Sequence, residues 1–528
     1  MALAFRLWGD RKGAIAPTVA LSLFGLIAAG GIAFDYARLA TMDTELQNAA
    51  DQAALAAATQ LDQKTGAQTR ATSAAQALIQ NRTYLANDGD VSGITVTVPT
   101  ITFYSVYANG AGTVATGDAD SNFVQVQVGN RTARYALTPI VAALSSGAVT
   151  ARAVAGVGHA VCKVPPVMMC NPDEPTTNTN VDFDFNVNSR VGAGMRLIGD
   201  GAYEPGNFGF LETGFGSGAS NLLKALGWNT PPGDCIETTG VDTKTGLNAS
   251  VMDGMNTRFD IDANGNSCPS GGTCSPSINV RKDLVRGNSC GITGNGWEEN
   301  SANATNFQDK RYRPTSAAVL PSTTTPEIMG HPRDLCHAWG LAGSCTGGGG
   351  GRIGDGQWDI NAYWRSHYGA NYAGQVSSTT YGAQPHGYPT RYQVYRWEMD
   401  DLTRISTPKA GGGSKTAYST PVAGQCLAPG VTPGGTNVDR RRISAAVLNC
   451  KALGINGHEV NQPVLKWVDL FLVEPSIART KCSSGSGCND KYTEKSDIYV
   501  EMIGETSTGA AGATAGQVVR RDVPYLIE

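Results

Sequence analysis

The sequence predicts an α+β protein. An N-terminal transmembrane helix continues into a long helix packed on a small β-sheet, and an irregular, disulfide-rich α+β domain follows. Three observations predict this. Ala14 to Phe34 is a run of 21 residues without a charge. Asp35 to Asp62 contains neither Gly nor Pro. All 12 cysteines lie from Cys162 onward.

At about 1.5 Å rise per residue, the apolar run spans the roughly 30 Å hydrocarbon core of a bilayer. Arg6, Arg11 and Lys12 precede it and Asp35 follows. The positive-inside rule then leaves residues 1–13 in the cytoplasm and everything from Asp35 outside. A cleavable signal peptide is the rival reading, and a buried core helix a third. A signal peptide has a shorter apolar core of about 7–15 residues. The best small-residue cleavage site, Ala37 to Ala40, falls inside continuing helix.

Beyond the span, Leu39, Met42, Leu46, Ala49, Ala53 and Ala56 recur at steps of three and four, which marks an apolar helical stripe. A helix of roughly 45–50 residues is expected, with a break at Gly66 and a second helical stretch from Thr69 to Leu85. The pattern then changes to period two. Ile94, Val96 and Val98, then Ile101 and Phe103, then Phe123 to Val128, then Ala148 to Val161 read as half-buried strands. Leu137 to Leu144 fits a short helix between the last two. Residues 35–161 therefore form a helix-plus-sheet module.

The order Arg11 to Ala16, the apolar run, Asp35 to Arg38 and Glu45 to Ala58 resembles the N-terminal module of TadG-like proteins, in the TadE/TadG group of tight-adherence (Flp) pilus assembly. The resemblance covers roughly the first 160 residues and implies an inner-membrane anchor, a periplasmic or pilus-associated body and a place in a secretion-type assembly. Its implied partners are the inner membrane, other pilus-assembly or pilin-like membrane proteins, and a second copy of the chain. Two features depart from the family. Prepilin-type substrates carry Glu five residues after the cleavage-site Gly; counted from Gly13, that position is Thr18. Larger relatives carry a von Willebrand A-like domain with an Asp-x-Ser-x-Ser metal motif, and this chain has no such triplet.

Residues 162–180 contain Pro165, Pro166, Pro172 and Pro175 and read as a connector. Residues 181–528 form the Cys-rich domain, periplasmic or surface-exposed, with a helix at Asn221–Gly227 and strands at Arg442–Cys450, Val464–Val473 and Ile498–Gly504. An even set of cysteines outside the cytoplasm reads as disulfides. Cys268 with Cys274 and Cys482 with Cys488 close short Gly-rich loops. Cys162 with Cys170 and Cys336 with Cys345 are the next most local pairs, leaving Cys235 with Cys290 and Cys426 with Cys450, although sequence does not fix this connectivity. Zinc is the rival, without C-x-x-C or H-x-x-x-H spacing to support it.

Net charge is −4 and the only basic run is Arg440 to Arg442, which argues against nucleic acid as a partner. Asp260, Asp262, Asn264 and Asn266 begin like a calcium loop with Gly265 at the sixth position, but the twelfth is Gly271 where a bidentate Glu is needed. A disulfide-closed turn is the alternative. Asp355, Asp359, His367, Glu398, Asp400 and Asp401 are carboxylate–imidazole candidates for acid–base work. Ten Trp and Tyr residues between Trp358 and Trp397 fit either an interaction surface or a small stapled core. Catalytic motifs such as G-x-S-x-G are absent. No catalytic activity and no cofactor are expected. The leading expectation is a membrane-anchored structural component of Flp pilus assembly, minor-pilin-like or envelope-bridging. A surface adhesin that binds a glycan or protein is the alternative, and an anchored enzyme comes third. Ser22, Gly25, Ala29 and Ala33 share one face of the membrane helix and are the candidates for helix packing.

Overall fold

The computed structural model describes residues 15–527 with interruptions, the longest at 84–95, 139–145, 199–206, 299–311, 411–417, 482–489 and 507–518. Residues 1–14, Ile94, most of the short helix expected at Leu137–Leu144, Asn264, and the Cys482/Cys488 pair lie outside the described residues. The chain divides into two units, Met1–His159 with Asp522–Glu528, and Ala160–Arg521. The last residues thus join the first unit, which the sequence reading placed in the second domain.

In the first unit, helix α1 runs unbroken from Ile15 to Ala58. Gly66 adopts a left-handed φ of 84°, and α2 follows at Ala67–Leu78. Asp118 reaches across to accept the N–H groups of Gly66 at 2.7 Å and Gln68 at 2.9 Å, which satisfies two orphan donors at the start of α2. Strands β1 (Thr100–Ala108), β2 (Ala111–Val114), β3 (Phe123–Gln127) and β6 (Arg152–Cys162) form an antiparallel sheet in the order β2–β1–β3–β6. The C-terminal strand Val519–Leu526 also pairs with β6, and Ile527 donates to Val154. Strands β4 (Arg131–Arg134) and β5 (Ser146–Val149) make a separate hairpin.

The core of this unit is unusually small in side-chain size. Met42, Leu46, Ala49, Ala50, Ala53, Ala54 and Ala57 of α1 pack with Ala71 and Ala75 of α2 and with Val124, Val126, Ala153 and Ala155 of the sheet. Alanine lets backbones approach closely and costs no side-chain entropy on burial. The expected Ala56 is only half-buried and Ala57 takes its place. A straight helix drifts by about 20° per heptad against a 3.5-residue repeat, so the buried stripe walks round by one residue.

The second unit is built on a five-stranded sheet in the order β7–β9–β10–β11–β8: Met168–Cys170, Arg442–Leu448, Lys466–Leu472, Ile498–Glu505 and Gly194–Ile198. Only the β7–β9 pair is parallel. Every residue of β9 is buried, because apolar clusters cover both faces. On one side lie Ile443, Ala445, Val447, Leu470 and Val500 with Leu222 and Leu226 of α3 (Ala219–Gly227). Helices α4 (Ile360–Tyr368) and α5 (Arg391–Asp400) carry much of the remaining core.

Two expectations need correction here. The connector at 162–180 contains a strand: its prolines exclude helix, but Met168–Cys170 pairs at a sheet edge. The cysteine connectivity also differs. Cys170 bonds Cys450 and Cys290 bonds Cys426, which rules out Cys162 with Cys170, Cys235 with Cys290 and Cys426 with Cys450. The parallel register that seats Cys170 beside the end of β9 explains the first bridge, across 280 residues of chain. Cys268–Cys274 and Cys336–Cys345 are as expected. Cys162 and Cys235 are register partners on antiparallel backbones.

Peptide mapping without reduction is expected to give Cys170–Cys450 and Cys290–Cys426 fragments. Replacing Cys290 and Cys426 together by Ser should lower stability by about 2–4 kcal/mol in a denaturant titration of the detergent-solubilised chain, since a long closed loop is freed in the unfolded state.

Candidate functional site

Through Phe34, α1 is long and apolar enough to span a membrane, and nearly all of that segment is exposed. Two residues at its C-terminal edge are not. Gly31 and Asp35 are buried and lie one helical turn apart. A Cβ added at Gly31 would stand 2.8 Å from the Leu137 Cβ, so only Gly lets the chain after β4 come this close.

Asp35 then receives that chain. Its carboxylate accepts the N–H of Ala136 at 2.9 Å, of Leu137 at 2.9 Å and of Thr138 at 2.7 Å, and the Thr138 hydroxyl at 2.8 Å. Burial alone would push the carboxyl up. The four hydrogen bonds outweigh it and hold the pKa at about 2. A mid-helix acid thus works as a clamp for three successive backbone amides. The signal for it is legible afterwards: Asp35, Met42 and Leu46 stand at steps of seven and four, so the acid sits on the buried stripe.

The small residues face elsewhere. At about 100° per residue, Ser22, Gly25, Ala29 and Ala33 lie roughly 120–200° round the helix from Gly31. A Cβ at Gly25 would meet nothing within 4 Å. The Ser22 hydroxyl turns back to the Val19 carbonyl of its own helix.

In the second unit the acid–base candidates do not converge. Asp359 caps α4 by accepting from Ala362, and also accepts the Leu320 N–H. His367 bonds the Met329 carbonyl. Asp355 is exposed and closes a turn at Gln357. Asp400 accepts from Tyr381, and Asp401 from Thr403. Glu398, like Asp359, is fully buried. It accepts from Asn279 at 2.7 Å, Tyr363 at 2.6 Å and Tyr368 at 2.8 Å, with the Arg281 Nε at 3.3 Å. His331 lies 4.0 Å from it, and burial together with Arg441, Arg281 and Arg391 keeps that imidazole well below its usual pKa, hence neutral.

The aromatic run resolves as core, the second of its two expected uses. Trp358, Tyr363, Trp364 and Tyr395 are 2 % exposed or less. The calcium-loop candidates are committed to backbone. Asp260 accepts from Cys426 and Leu427, and Asp262 from Ser267. Gly272 of the Cys268–Cys274 loop lies against the Trp228 ring, whose indole donates to Pro269. That is the disulfide-closed turn.

Cys336, His337 and Cys345 are clustered closely enough to hold a metal, but the two sulfurs are bonded to each other. Both His337 ring nitrogens are also engaged, Nε2 with the Gly351 carbonyl and Nδ1 with the Tyr499 hydroxyl.

Sequence reasoning missed the buried cations. Arg440 donates to carbonyls of Ser275, Trp228 and Gly227, Arg441 to those of Leu472, Asn279 and Val473, and Arg258 to those of Leu226 and Arg440. The one basic run in the sequence is therefore internal. Burial pushes Lys282 down to about 7, against the pull of Asp260. Arg391 opens α5 between Glu501 at 2.6 Å and Asp334 at 2.7 Å. Burial disfavours its charge, but Asp334 and Glu501 more than compensate and raise its pKa. Glu501 also caps the helix by accepting the N–H groups of Arg391 and Tyr392. Near these groups, a cleft beside Arg333, Glu474 and Arg479 has a water-accessible volume of about 40 Å³, room for a few waters.

Asp35→Ala removes the acceptor of three amides and is expected to speed hydrogen exchange at Ala136–Thr138, with Asp35→Asn intermediate. The folded pKa lies below the ordinary carboxyl value, so the clamp's contribution is fully present above about pH 4 and is lost as pH falls through about 2. Protection at these amides, corrected for intrinsic rates, should not change between pH 5 and 8. Arg391→Met strands two buried carboxylates and should cost about 3–5 kcal/mol in chemical unfolding.

No curated protein and no solved structure matches the chain. Residues 13–60, which hold the apolar span, the Asp35 clamp and the alanine stripe, match a family model described as "Putative Flp pilus-assembly TadE/G-like". Residues 13–60 are thus TadE/G-like, and this supports a role related to Flp pilus assembly.

Proposed function

We propose that the protein is a structural component of tight-adherence pilus assembly, held in the inner membrane with residues 1–13 in the cytoplasm and the body in the periplasm. It works as a minor-pilin-like or envelope-bridging part. The observation that carries this reading is the form of α1. One continuous helix of 44 residues is bare and lipid-compatible at one end, and at the other is the spine of a folded module. Such a helix transmits position rigidly, because no hinge separates span from body. The family match covers this same stretch.

The face of Ser22, Gly25, Ala29 and Ala33 is assigned to a partner helix, from another pilus-assembly protein or a second copy. Lipid tails give no hydrophobic drive for helix association, so close backbone packing must supply it. An adhesin built on the second unit is the alternative. Its best support in the sequence was the aromatic run, and four of those ten rings are buried while the other six are half-buried against the same core.

Gly25→Leu tests the reading. It should leave insertion intact, since Leu favours the bilayer, and should lower photocrosslinking from position 22 roughly three-fold or more. Leu26→Ala, one residue round the helix, should be milder. An alkaline phosphatase fusion after Asp62 should be active in both. Equal crosslinking in wild type and Gly25→Leu would leave the helix as an anchor only, and an inactive fusion would reverse the topology.

A further inference from the structure

The proposed span and the clamp together fix the depth of a second segment. Gly31 lies inside the apolar run, four residues before Asp35, or about 6 Å deeper along the helix axis. Leu137 packs directly against Gly31. A piece of non-helical backbone therefore sits beside the helix at a level where lipid begins. Leu137 is 40 % exposed in spite of this packing. Around the same level, Ile32, Phe34 and Tyr36 are exposed on α1, and Tyr135 precedes the clamped segment.

We infer that Tyr135–Thr138 is seated in the interfacial zone of the bilayer, with Leu137 reaching the acyl boundary, so that the first unit rests on the lipid surface. This rests on the membrane reading of α1. Three features point to lipid as the occupant. First, the surface is continuous with the membrane span itself. Second, an aromatic residue that favours the headgroup level, Tyr36, is exposed one residue beyond Asp35.

The third feature is the polar accounting. Irregular backbone is tolerated near hydrocarbon only when its N–H groups have acceptors other than water. Asp35 accepts three in succession, Ala136, Leu137 and Thr138. The acceptor comes from the proposed span's own helix, so these three amides need no water. At the lipid boundary it lets the loop approach without leaving amides unpaired. Asp35 is a positioning residue in this sense: it sets how deep the module sits.

An environment-sensitive fluorescent amino acid placed at position 23, 137 or 59 in the full chain, in phosphatidylcholine–phosphatidylglycerol vesicles, reads the depth. Lipids with nitroxides at the headgroup or in the mid-chain are the quenchers, and iodide reports water. Position 59 lies about 36 Å beyond Asp35 along α1 and serves as the dry-land control. Headgroup nitroxide should quench position 137 roughly three-fold or more above position 59, and position 23 should be quenched most by the mid-chain label. Leu137→Glu on a probe at 136 should shift the probe toward water, because the Asp35 bonds are to backbone and survive. If 23 is quenched and 137 behaves like 59, the seating is wrong and the anchor stands. If 137 is shielded from iodide and untouched by nitroxide lipids, a protein covers it, and the lipid assignment is again wrong. If 23 is unquenched, the membrane reading fails and this inference with it.

Discussion

One buried carboxylate joins the apolar part of α1 to the folded body of the first unit. Without an acceptor at Asp35, three consecutive amides would end against an apolar helix with no partner, and each unpaired group would oppose the packing that Gly31 permits. The charge is needed as well as the hydrogen bonds. A carboxylate has several lone pairs and takes four donors here; an amide side chain at the same place would turn a donor toward donors. The low pKa is the electrostatic trace of that arrangement, since the donors favour the ionised form more than burial opposes it. Among the described residues, Gly31 is the one fully buried position of the helix before Asp35, and beyond Asp35 the alanine stripe takes over. Rigidity at the junction thus comes from a local polar contact, and rigidity beyond it from close apolar packing.

The second unit solves a different problem. Much of its chain is loop, and loops bring backbone carbonyls that must find donors. Guanidinium groups supply five donors each in a fixed plane; Arg440 and Arg441 each use three on carbonyls from distant segments, and Arg258 uses two. Arg391 adds two carboxylates and two carbonyls. Asp469 does the reverse within the sheet, accepting from Arg442 and Ser444 on the neighbouring strand. These buried ions are costly to desolvate, so their presence marks places where loop carbonyls had no cheaper partner. Long-range disulfides close the same gaps covalently, as with Cys290 and Cys426, 136 residues apart.

What was legible in the sequence follows from which forces are local. The helix α1, the alternating strands β1, β3 and β6, and the strands β9, β10 and β11 repeat an apolar period, and period is visible along a chain. The short loops Cys268–Cys274 and Cys336–Cys345 were legible for the same reason. The edge strand β7 was hidden by prolines, and its pairing with β9 depends on residues nearly 280 positions away. The disulfides that replaced the local pairs share that origin. The burial of Arg440 to Arg442 was not legible, because the carbonyl partners of Arg440 and Arg441 come from segments at 227–228, 275–279 and 472–473 that no spacing connects. The aromatic run was ambiguous for a simple reason: ring density alone does not distinguish a core from a surface. Asp35 stood at the end of an apolar run and read as a boundary charge. Its place on the stripe of Met42 and Leu46 was available, but its partners at 136–138 were not.

The two faces of α1 constrain what the helix can join. The module occupies one side continuously, from Gly31 through Asp35, Met42 and Leu46 to the alanines. A partner helix cannot use that side near Gly31, because Leu137 already fills it. The small residues at 22, 25, 29 and 33 lie across the helix from this contact, so a partner packed there would run past the module without meeting the clamped segment. Larger residues such as Leu21, Phe24 and Ile27 are exposed on the remaining arcs and hold backbones further apart. The same helix can therefore carry its own body on one face and an assembly partner on the other. Neither contact has to be broken for the other to form, which is the geometric condition for a subunit that enters an assembly already folded.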